Sequence, residues 1–329
     1  MAASKQRLFM TGGSGYIGSR IVTFALAEGY EVRSLSRSAA NDAKIRALGG
    51  VPVRGDLHAV DVLRAEAAAA DVVINLADAW MQHRDDYGKV VEIDRAAVQA
   101  MAAGLRGTEK PLIITSGTAL AKPDPEGGET DENAEEVENP LNGRWRCEGN
   151  GLALAEQGVR VCAVRLAPYV YGRGGSGVRL FMGMFAKMGE VCYIGDGAVQ
   201  TSVVHVDDAA RLYLLVAKHG KKGEIYNGVS NTEVSVKEMS AAEAEVLGVP
   251  LVSRTKEEVE ARGGPILAAF LGSGNRASGA KARRQLSWVP REAGILEDIS
   301  TGSYAEVAKD FRQGAIDSHS GYENHFTMK

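Results

Sequence analysis

The sequence contains few cysteines and no evident metal-binding pattern. Its 329 residues include only Cys147, Cys162 and Cys192, and no two of them have the C-x-x-C spacing of a redox or zinc site. A reducing compartment is therefore expected. Because no set of histidine, cysteine and acidic residues shows metal-ligand spacing, we predict that the protein binds no metal.

A strong charge of either sign and a long apolar segment are also missing. Lys and Arg number 38 and Asp and Glu number 42, so the formal net charge is −4, which argues against nucleic acid as a partner. No stretch approaches the roughly 18 consecutive apolar residues of a membrane helix. No long apolar run precedes the first glycines, as a secretory signal would require. We therefore expect a cytoplasmic protein without membrane or nucleic-acid partners.

Short apolar runs, in contrast, alternate with helical patterns over the first half of the chain. Runs that predict strands lie at residues 7–10, 31–36, 51–57, 71–77, 111–117 and 159–166. The alternation predicts an α/β fold, a Rossmann-type doubly wound parallel sheet with a smaller C-terminal substrate-binding lobe. The expected dinucleotide-binding domain comprises 1–170 and about 198–228, and the lobe comprises 171–197 and 229–329.

Several segments are expected to lie outside the sheet. Residues 122–143 are rich in Pro, Gly, Asp and Glu and predict a solvated surface loop, and the glycine-rich segments 173–177 and 272–279 predict mobile loops. Residues 180–188 are rich in Met and Phe. They predict either an amphipathic core helix or an adaptable apolar wall for a bulky ligand.

A glycine-rich turn, Thr11-Gly-Gly-Ser-Gly-Tyr-Ile-Gly18, follows the first predicted strand and opens a helix. Glycines here permit a tight turn, close approach of a pyrophosphate to the backbone and close packing of helix on strand. The helix N-terminus directs unpaired N–H groups at the phosphates. The predicted cofactor-binding residues are Gly12, Gly15, Tyr16, Ile17 and Gly18.

The end of the second strand bears on the choice of cofactor. NAD-binding sites usually place an acid there to hold the ribose 2′-hydroxyl, whereas this chain has Ser36, Arg37 and Ser38. Arg37 would attract a 2′-phosphate and the serines could hydrogen-bond to it. We predict NADP(H), with NAD(H) as the less favoured cofactor; the alternative is that Arg37 is a solvated surface arginine.

In these motifs the chain resembles the extended short-chain dehydrogenase/reductase family, of the epimerase/dehydratase type. TGGSGYIG is similar to that family's TGxxGxxG. Further similar segments are Gly55-Asp-Leu57, Asn75-Leu-Ala77, Arg165–Gly172, Val204–Ala210 and Leu286–Pro290. The resemblance implies an NAD(P)-dependent oxidoreductase, in which Asp56 and Leu57 contact adenine, Leu76 and Ala77 lie under the cofactor and Pro168 lies beside the nicotinamide.

The catalytic motif of the resembled family differs here. Its members use a Tyr-x-x-x-Lys pair and an upstream Ser or Thr, in which the tyrosine transfers a proton and the lysine lowers its pKa. Counting back from Glu148 puts Pro140 and Arg144 at the tyrosine and lysine positions. Arg144 could hold the ribose but does not transfer protons at neutral pH. On the fifth strand, Ser116 and Thr118 flank the position of the family hydroxyl.

Other residues are candidates for the missing acid or base, because the pocket of this fold lies at the carboxyl ends of the strands. Ser116 or Thr118 is expected to donate a hydrogen bond to substrate. Tyr169 is expected either to take the role of the tyrosine in the Tyr-x-x-x-Lys pair or to pack against the cofactor. His83 is expected either to act as the acid or base or to be simply solvated. His205 opens a helix and is expected to be structural.

Three functions remain open. The first is reduction by NADP(H) of a small apolar carbonyl or imine compound, with the cofactor supplying the hydride. The second is a non-redox cyclase or isomerase that acts on a secondary metabolite and retains NADP(H) in the cofactor pocket of the resembled family. The third is an NADP(H)-sensing regulatory protein without turnover. A homodimer is one assembly that this fold uses.

Overall fold

The structure is a computed structural model that describes residues 5–138, 140 and 142–314. In chain order its strands are β1 Arg7–Met10, β2 Glu31–Ser36, β3 Val51–Arg54, β4 Val72–Asn75, β5 Pro111–Gly117, β6 Arg160–Leu166, β7 Tyr169–Tyr171, β8 Val191–Ile194, β9 Gln200–His205, β10 Ile225–Gly228, β11 Asn231–Ser235 and β12 Leu251–Arg254. Its α-helices are α1 Tyr16–Ala27, α2 Ala39–Ala47, α3 Val60–Ala69, α4 Tyr87–Leu105, α5 Arg144–Leu152, α6 Ser176–Met188, α7 Val206–His219, α8 Val236–Leu247, α9 Lys256–Gly272, α10 Ala280–Leu286, α11 Ile295–Ser300 and α12 Ser303–Arg312.

Seven strands form a parallel sheet in the order β3-β2-β1-β4-β5-β6-β10. The chain runs outward in one direction from β1 to β3 and then in the other from β4 to β10. Loops at the carboxyl ends of β1 and β4 therefore diverge and leave a crevice between them. The predicted fold class, α/β with a Rossmann-type doubly wound sheet, is confirmed.

Both faces of this sheet are covered by helices. On β1, Leu8 and Met10 pack with α1 and α7, while Phe9 points to the opposite face and packs with α3 and α4. This alternation follows from the two-residue period of a strand. All four residues of β4 are buried, as expected for a strand with helices on both faces.

A third apolar cluster lies outside the seven-stranded sheet. It joins residues of β7, β8 and β9 with residues of α6, α8, α9, α11 and α12. In α6 the side chains of Phe181, Met182 and Phe185 are buried in this cluster, which favours the core-helix interpretation of residues 180–188. The domain limits given above stay a prediction.

Two of the predicted loops are more closely packed than their composition suggests. The carboxylate of Glu132, in the acidic segment, is 7% exposed and accepts a hydrogen bond from the Asn227 backbone N–H at 2.9 Å. In the segment 272–279, Asn275 and Ala277 are buried. The Thr130 N–H donates to the Arg276 carbonyl at 3.0 Å and the Ser278 N–H donates to the Thr130 carbonyl at 2.7 Å, so the two segments are joined by backbone hydrogen bonds. Within the described ranges, no helix is long and apolar enough to span a bilayer.

Candidate functional site

The glycine turn after β1 has the backbone geometry of a phosphate cradle. Gly12 has φ +75°, and the N–H of Gly15 donates to its carbonyl at 3.0 Å. A β-carbon on Gly18 would clash with the backbone of Gly12 and Gly13. The N-cap residue of α1, Gly15, has no side chain that could cap the helix, and the N-terminus of such a helix is a favourable place for an anion. The turn therefore fits a pyrophosphate.

Thr11 connects this turn to the end of β4. Its hydroxyl donates to Asn75 Oδ1 at 2.8 Å and accepts from the N–H groups of Leu76 and Ala77, both at 3.0 Å. Asn75 in turn donates to Asp94 at 3.3 Å. The two sides of the crevice are thereby held at a fixed separation.

One cavity of 300 Å³, the Arg37 cavity, opens from the glycine turn toward β2 and β3. It is lined by Gly12, Ser14, Gly15, Leu35, Arg37, Asn41, Asp56, Leu57, His58, Ala77, Asp78, Ala79, Gln82, His83 and Ile93. The side chain of Arg37 is exposed, and no carboxylate follows it at the end of β2. The predicted residues Arg37, Asp56 and Leu57 are thus brought together.

The neighbouring serines are placed differently. Ser36 is 1% exposed, and its hydroxyl donates to the Ser38 carbonyl at 3.2 Å. The Ser38 hydroxyl caps α2 by accepting from the Asn41 N–H at 3.2 Å, which also explains why α2 begins earlier than its apolar residues suggest. Neither serine lines the cavity, so the geometry gives no support to their predicted role in phosphate binding.

A second cavity of 490 Å³, the Ser116 cavity, opens on the other side of the glycine turn. It is lined by Gly12, Gly15, Tyr16, Ile17, Gly18, Leu76, Ala77, Thr115, Ser116, Arg144, Leu166, Pro168, Tyr169, Val170, Ser176, Gly177, Val178 and Phe270. Both cavities share Gly12, Gly15 and Ala77. A ligand with two halves joined by a pyrophosphate fits this arrangement, one half in each cavity.

Ser116, near the end of β5, is the buried polar residue that most clearly indicates a ligand-binding position. It is 4% exposed, and its hydroxyl has no hydrogen-bond partner among the described residues. A buried hydroxyl without a partner costs about 1–3 kcal/mol. Because Ser116 lines the cavity, a bound molecule with an acceptor atom would remove that cost.

Arg144, the first residue of α5, provides a fixed positive charge beside Ser116. Its guanidinium pairs with the Asp78 carboxylate and also donates to the Thr115 carbonyl at 3.5 Å. Burial opposes its charge, but Asp78 and the neighbouring groups raise the pKa of Arg144 above its ordinary value. Arg144 therefore stays charged and acts as a hydrogen-bond donor, not as a proton donor.

Behind Arg144 lie buried groups whose ionisation is suppressed. Burial raises the pKa of Cys147 to about 12 and that of Tyr87 to about 12. Burial also raises the pKa of the Asp94 carboxyl. The Cys147 thiol and the Tyr87 hydroxyl are therefore uncharged near neutral pH.

Two of the predicted catalytic residues lie in other surroundings than expected. His83 lines the Arg37 cavity and not the Ser116 cavity. Thr118 is 1% exposed, and its hydroxyl donates to Asn275 Oδ1 at 2.9 Å, while Asn275 Nδ2 donates to the Thr118 carbonyl at 3.0 Å. Thr118 lines neither of these cavities, so its hydroxyl serves the fold.

Tyr169 does line the Ser116 cavity, but its hydroxyl donates to the Phe270 carbonyl at 3.4 Å. Burial raises the pKa of Tyr169 well above its ordinary value. Both observations favour packing over proton transfer. Residues 176–178, which line the same cavity, lie in a segment that the sequence places at the pocket, whereas Phe270 was not predicted because no local motif marks it.

His205 caps α7, since its Nδ1 accepts from the Asp207 N–H at 3.2 Å. Within the described residues, His205, Asp207 and Glu292 have potential metal-ligand atoms within 4.8 Å of one another. However, the Asp207 carboxylate is bound by Arg20 at 2.7 Å and Arg173 at 2.5 Å. Burial raises the pKa of Asp207, but the two guanidinium groups have the larger combined effect and lower this pKa to about 2. The arrangement is an ion-pair cluster unsuited to a cation.

Comparison with known proteins identifies the family and the fold of the chain. A family model described as "NAD dependent epimerase/dehydratase family" matches residues 8–227. An uncharacterized protein of Schizosaccharomyces pombe, C2A9.02, is 34% identical over 91% of this chain and 99% of its own length. The 4-hydroxy-2-methyl-3-oxo-4-farnesyl-3,4-dihydroquinoline-1-oxide ketoreductase of Stigmatella aurantiaca is 26% identical over 67% of each chain.

Solved structures match over nearly the whole chain. The crystal structure of gox2253 has a TM-score of 0.74 at 19% identity and covers 99% of this chain and 100% of its own. UDP-glucose 4-epimerase from Thermotoga maritima, solved with UDP-glucose, has a TM-score of 0.71 at 18% identity, with 94% and 100% covered. At these identities the likeness establishes the fold.

Proposed function

Because the chain belongs to the NAD-dependent epimerase/dehydratase family, whose members are NAD(P)-dependent oxidoreductases and epimerases, we propose that it is an NADP(H)-dependent reductase. Its substrate is a small apolar compound with a carbonyl or imine group. The observation that carries the proposal is the buried Ser116 hydroxyl, which lacks a partner among the described residues and lies beside Arg144 in a largely apolar cavity.

The cofactor would be held by residues of both cavities. The glycine turn and the N-terminus of α1 would bind the pyrophosphate, Asp56 and Leu57 would lie at the adenine, and Leu76, Ala77 and Pro168 at the nicotinamide. When bound, the nicotinamide supplies the hydride. The 2′-phosphate of NADP(H) would pair with Arg37, which is exposed at its cavity wall.

Cofactor choice is tested by Arg37→Glu. A carboxylate at this position would repel a 2′-phosphate, and loss of one charged hydrogen-bonded pair is worth about 1.5–3 kcal/mol. We therefore expect the Kd for NADPH to rise at least tenfold, with the Kd for NADH unchanged or lower. Isothermal titration of both nucleotides measures this. If wild-type protein binds NADH more tightly than NADPH, the preference is wrong.

In the proposed reaction Ser116 donates a hydrogen bond to the substrate oxygen, and Arg144 stabilises the negative charge that develops there. The hydride adds to the carbonyl carbon, and the oxygen takes a proton through Ser116, replenished from water. An imine that arrives protonated needs no acid, because hydride addition yields the neutral amine. Loss of the family tyrosine is then compatible with turnover.

The lining of the Ser116 cavity supports an apolar substrate. Arg144 is the single charged side chain among its described lining residues, and its charge is already paired with Asp78. A nucleotide diphosphate would need additional cations or free backbone donors. Such a ligand therefore suits the T. maritima epimerase, which was solved with UDP-glucose, better than this chain.

Transfer of isotope from the cofactor decides between the functions. Protein incubated with NADPH deuterated at the nicotinamide C4 and a panel of apolar ketones and imines is expected to yield deuterated product. Ser116→Ala should reduce that transfer. Product without consumption of NADPH would instead indicate the cyclase or isomerase function, and NADPH binding without any product would indicate a sensor. Cytoplasmic location and a homodimer stay predictions.

A further inference from the structure

A separate chamber lies behind the Ser116 cavity. This far chamber has a volume of 270 Å³ and is lined by Ala119, Ala121, Pro123, Val137, Pro168, Thr201, Ala269, Phe270, Ser273, Gly274 and Asn275. Two of its wall residues, Pro168 and Phe270, also line the Ser116 cavity. The two spaces are therefore neighbours with a common wall.

Phe270 contributes to that wall as part of an aromatic cluster. Its ring lies 5.5 Å from the ring of Tyr169 and 5.3 Å from the ring of Phe181, both edge to face. The backbone before it is interrupted, because Gly264 has φ +84° and Pro265 follows. The half-helix that carries Phe270 is thus separated from the first half of α9 and packs against the lobe core through Leu267 and Leu271.

The chemistry of the far chamber is apolar. None of its lining residues in the described part of the chain is charged. The most polar of them, Asn275, uses its side-chain oxygen and nitrogen on Thr118, and its backbone N–H donates to the Gln200 carbonyl at 3.0 Å. No described lining side chain can therefore give a phosphate or a carboxylate the ion pair that such groups favour.

We infer that the far chamber receives the apolar end of the substrate whose reacting group lies at Ser116, and that Phe270 sets the boundary between the two parts. This inference rests on the proposed function for the location of the reacting group. The volume of the far chamber approaches the lower limit of about 300 Å³ for pockets that hold a drug-sized ligand. The ligand class is accordingly an elongated one, with a polar carbonyl or imine at one end and an unbranched or prenyl-like hydrocarbon at the other.

Binding of 1-alkanols of four to twelve carbons tests the inference without requiring turnover. The titrations are made by calorimetry on protein saturated with NADPH, which cannot oxidise an alcohol. Each methylene that enters an apolar cavity contributes about 0.8 kcal/mol, or about fourfold in affinity. We expect wild-type affinity to increase with length until both spaces are filled.

Ala269→Phe fills the far chamber from the α9 side. It should leave the Kd of the shortest alkanols unchanged and stop the increase in affinity at a shorter chain length than in wild type. Ala119→Phe fills the chamber from the opposite, more exposed wall and should give the same result. With two variants the test stays decisive even if one of them does not fold. Circular dichroism and the Kd for NADPH confirm that each variant is folded.

The inference is overturned if wild type and both variants show the same dependence on chain length, or if the variants weaken short and long alkanols equally. The proposed function is judged separately. Length-dependent binding without any deuterium transfer would retain the chamber and reject the reductase. Reduction of short ketones without a length effect would retain the reductase and reject the chamber.

Discussion

The two ends of the crevice are made from different parts of the protein. At the glycine turn the site is built from backbone, and consecutive residues 11–18 provide the turn, the close approach and the helix N-terminus. At the Ser116 end it is built from side chains that come from β5, α5, β7, α6 and α9. The first end depends on local conformation, and the second depends on the whole chain being folded.

This difference determines what a substitution does at each end. A side chain added to the glycine turn changes the backbone and so affects binding of any dinucleotide. A side chain removed from the Ser116 end leaves the backbone intact and so affects the reaction alone. The predictions below test whether these two effects are separable.

The largest effect is expected for Ser116→Ala. Loss of one donor to a developing oxyanion typically lowers kcat by about 10²–10³, while the Kd for NADPH should not change. The melting temperature should stay the same or rise, because the variant removes a buried hydroxyl that lacks a partner. Steady-state kinetics and thermal unfolding provide both measurements.

Thr118→Val is the matched control for Ser116→Ala, since it removes a buried hydroxyl on the same segment that is bonded to Asn275. Here the melting temperature should fall and kcat should be nearly unchanged. The reverse pattern, with an active Ser116→Ala and an inactive Thr118→Val, would assign the substrate contact to Thr118.

A somewhat smaller effect is expected for Gly18→Ala at the other end. Its β-carbon would overlap backbone atoms of Gly12 and Gly13, which cannot rotate away. If the overpacking costs about 3 kcal/mol, the Kd for NADPH should rise by a factor of about 100. Gly149→Ala in α5, where a β-carbon meets open space, should bind NADPH normally. Equal binding by the two variants would show that the turn does not hold the cofactor.

The smallest effect concerns a buried carboxyl behind the Ser116 end. Glu243 on α8 is 6% exposed and has no hydrogen bond or ion pair among the residues described, and burial raises its pKa to about 8. The folded state therefore holds the proton more tightly than the unfolded state. The stability that this provides is complete below about pH 4.5 and is lost as the pH rises toward about 8.

Glu243→Gln removes this titration. Wild type should lose stability relative to the variant between pH 6 and pH 8, by about 2 kcal/mol at most given ~1.4 kcal/mol per pH unit. Urea unfolding at each pH measures the difference. Parallel pH profiles for the two proteins would mean that Glu243 is ionised in the folded state throughout.

Much of the fold could be predicted from the sequence because its signals are local. Strand and helix patterns alternate at short range, and the glycine turn lies within eight residues. The position of Arg37 follows from the end of β2 alone. Helix boundaries depend on caps that apolar patterns do not mark: α2 begins at Ala39, where Ser38 caps it, although its first buried apolar residue is Ile45.

The Ser116 end could be predicted only in part, because its contacts join residues far apart in the chain. Asn275 lies in a segment that composition predicts to be mobile, yet it is buried because its amide bonds to Thr118, 157 positions earlier. Phe270 reaches the cavity through a break in α9 at Gly264. Neither contact leaves a pattern in the neighbouring sequence.

The order of the central sheet has a consequence for synthesis of the protein. Strand β10 completes the sheet beside β6, but the chain makes it only after β7, α6, β8, β9 and α7. Until residue 228 has left the ribosome, β6 presents an unpaired apolar edge, and such edges promote aggregation. A nascent chain arrested near residue 200 would therefore need a chaperone, and a fragment ending there would be a poor choice for expression.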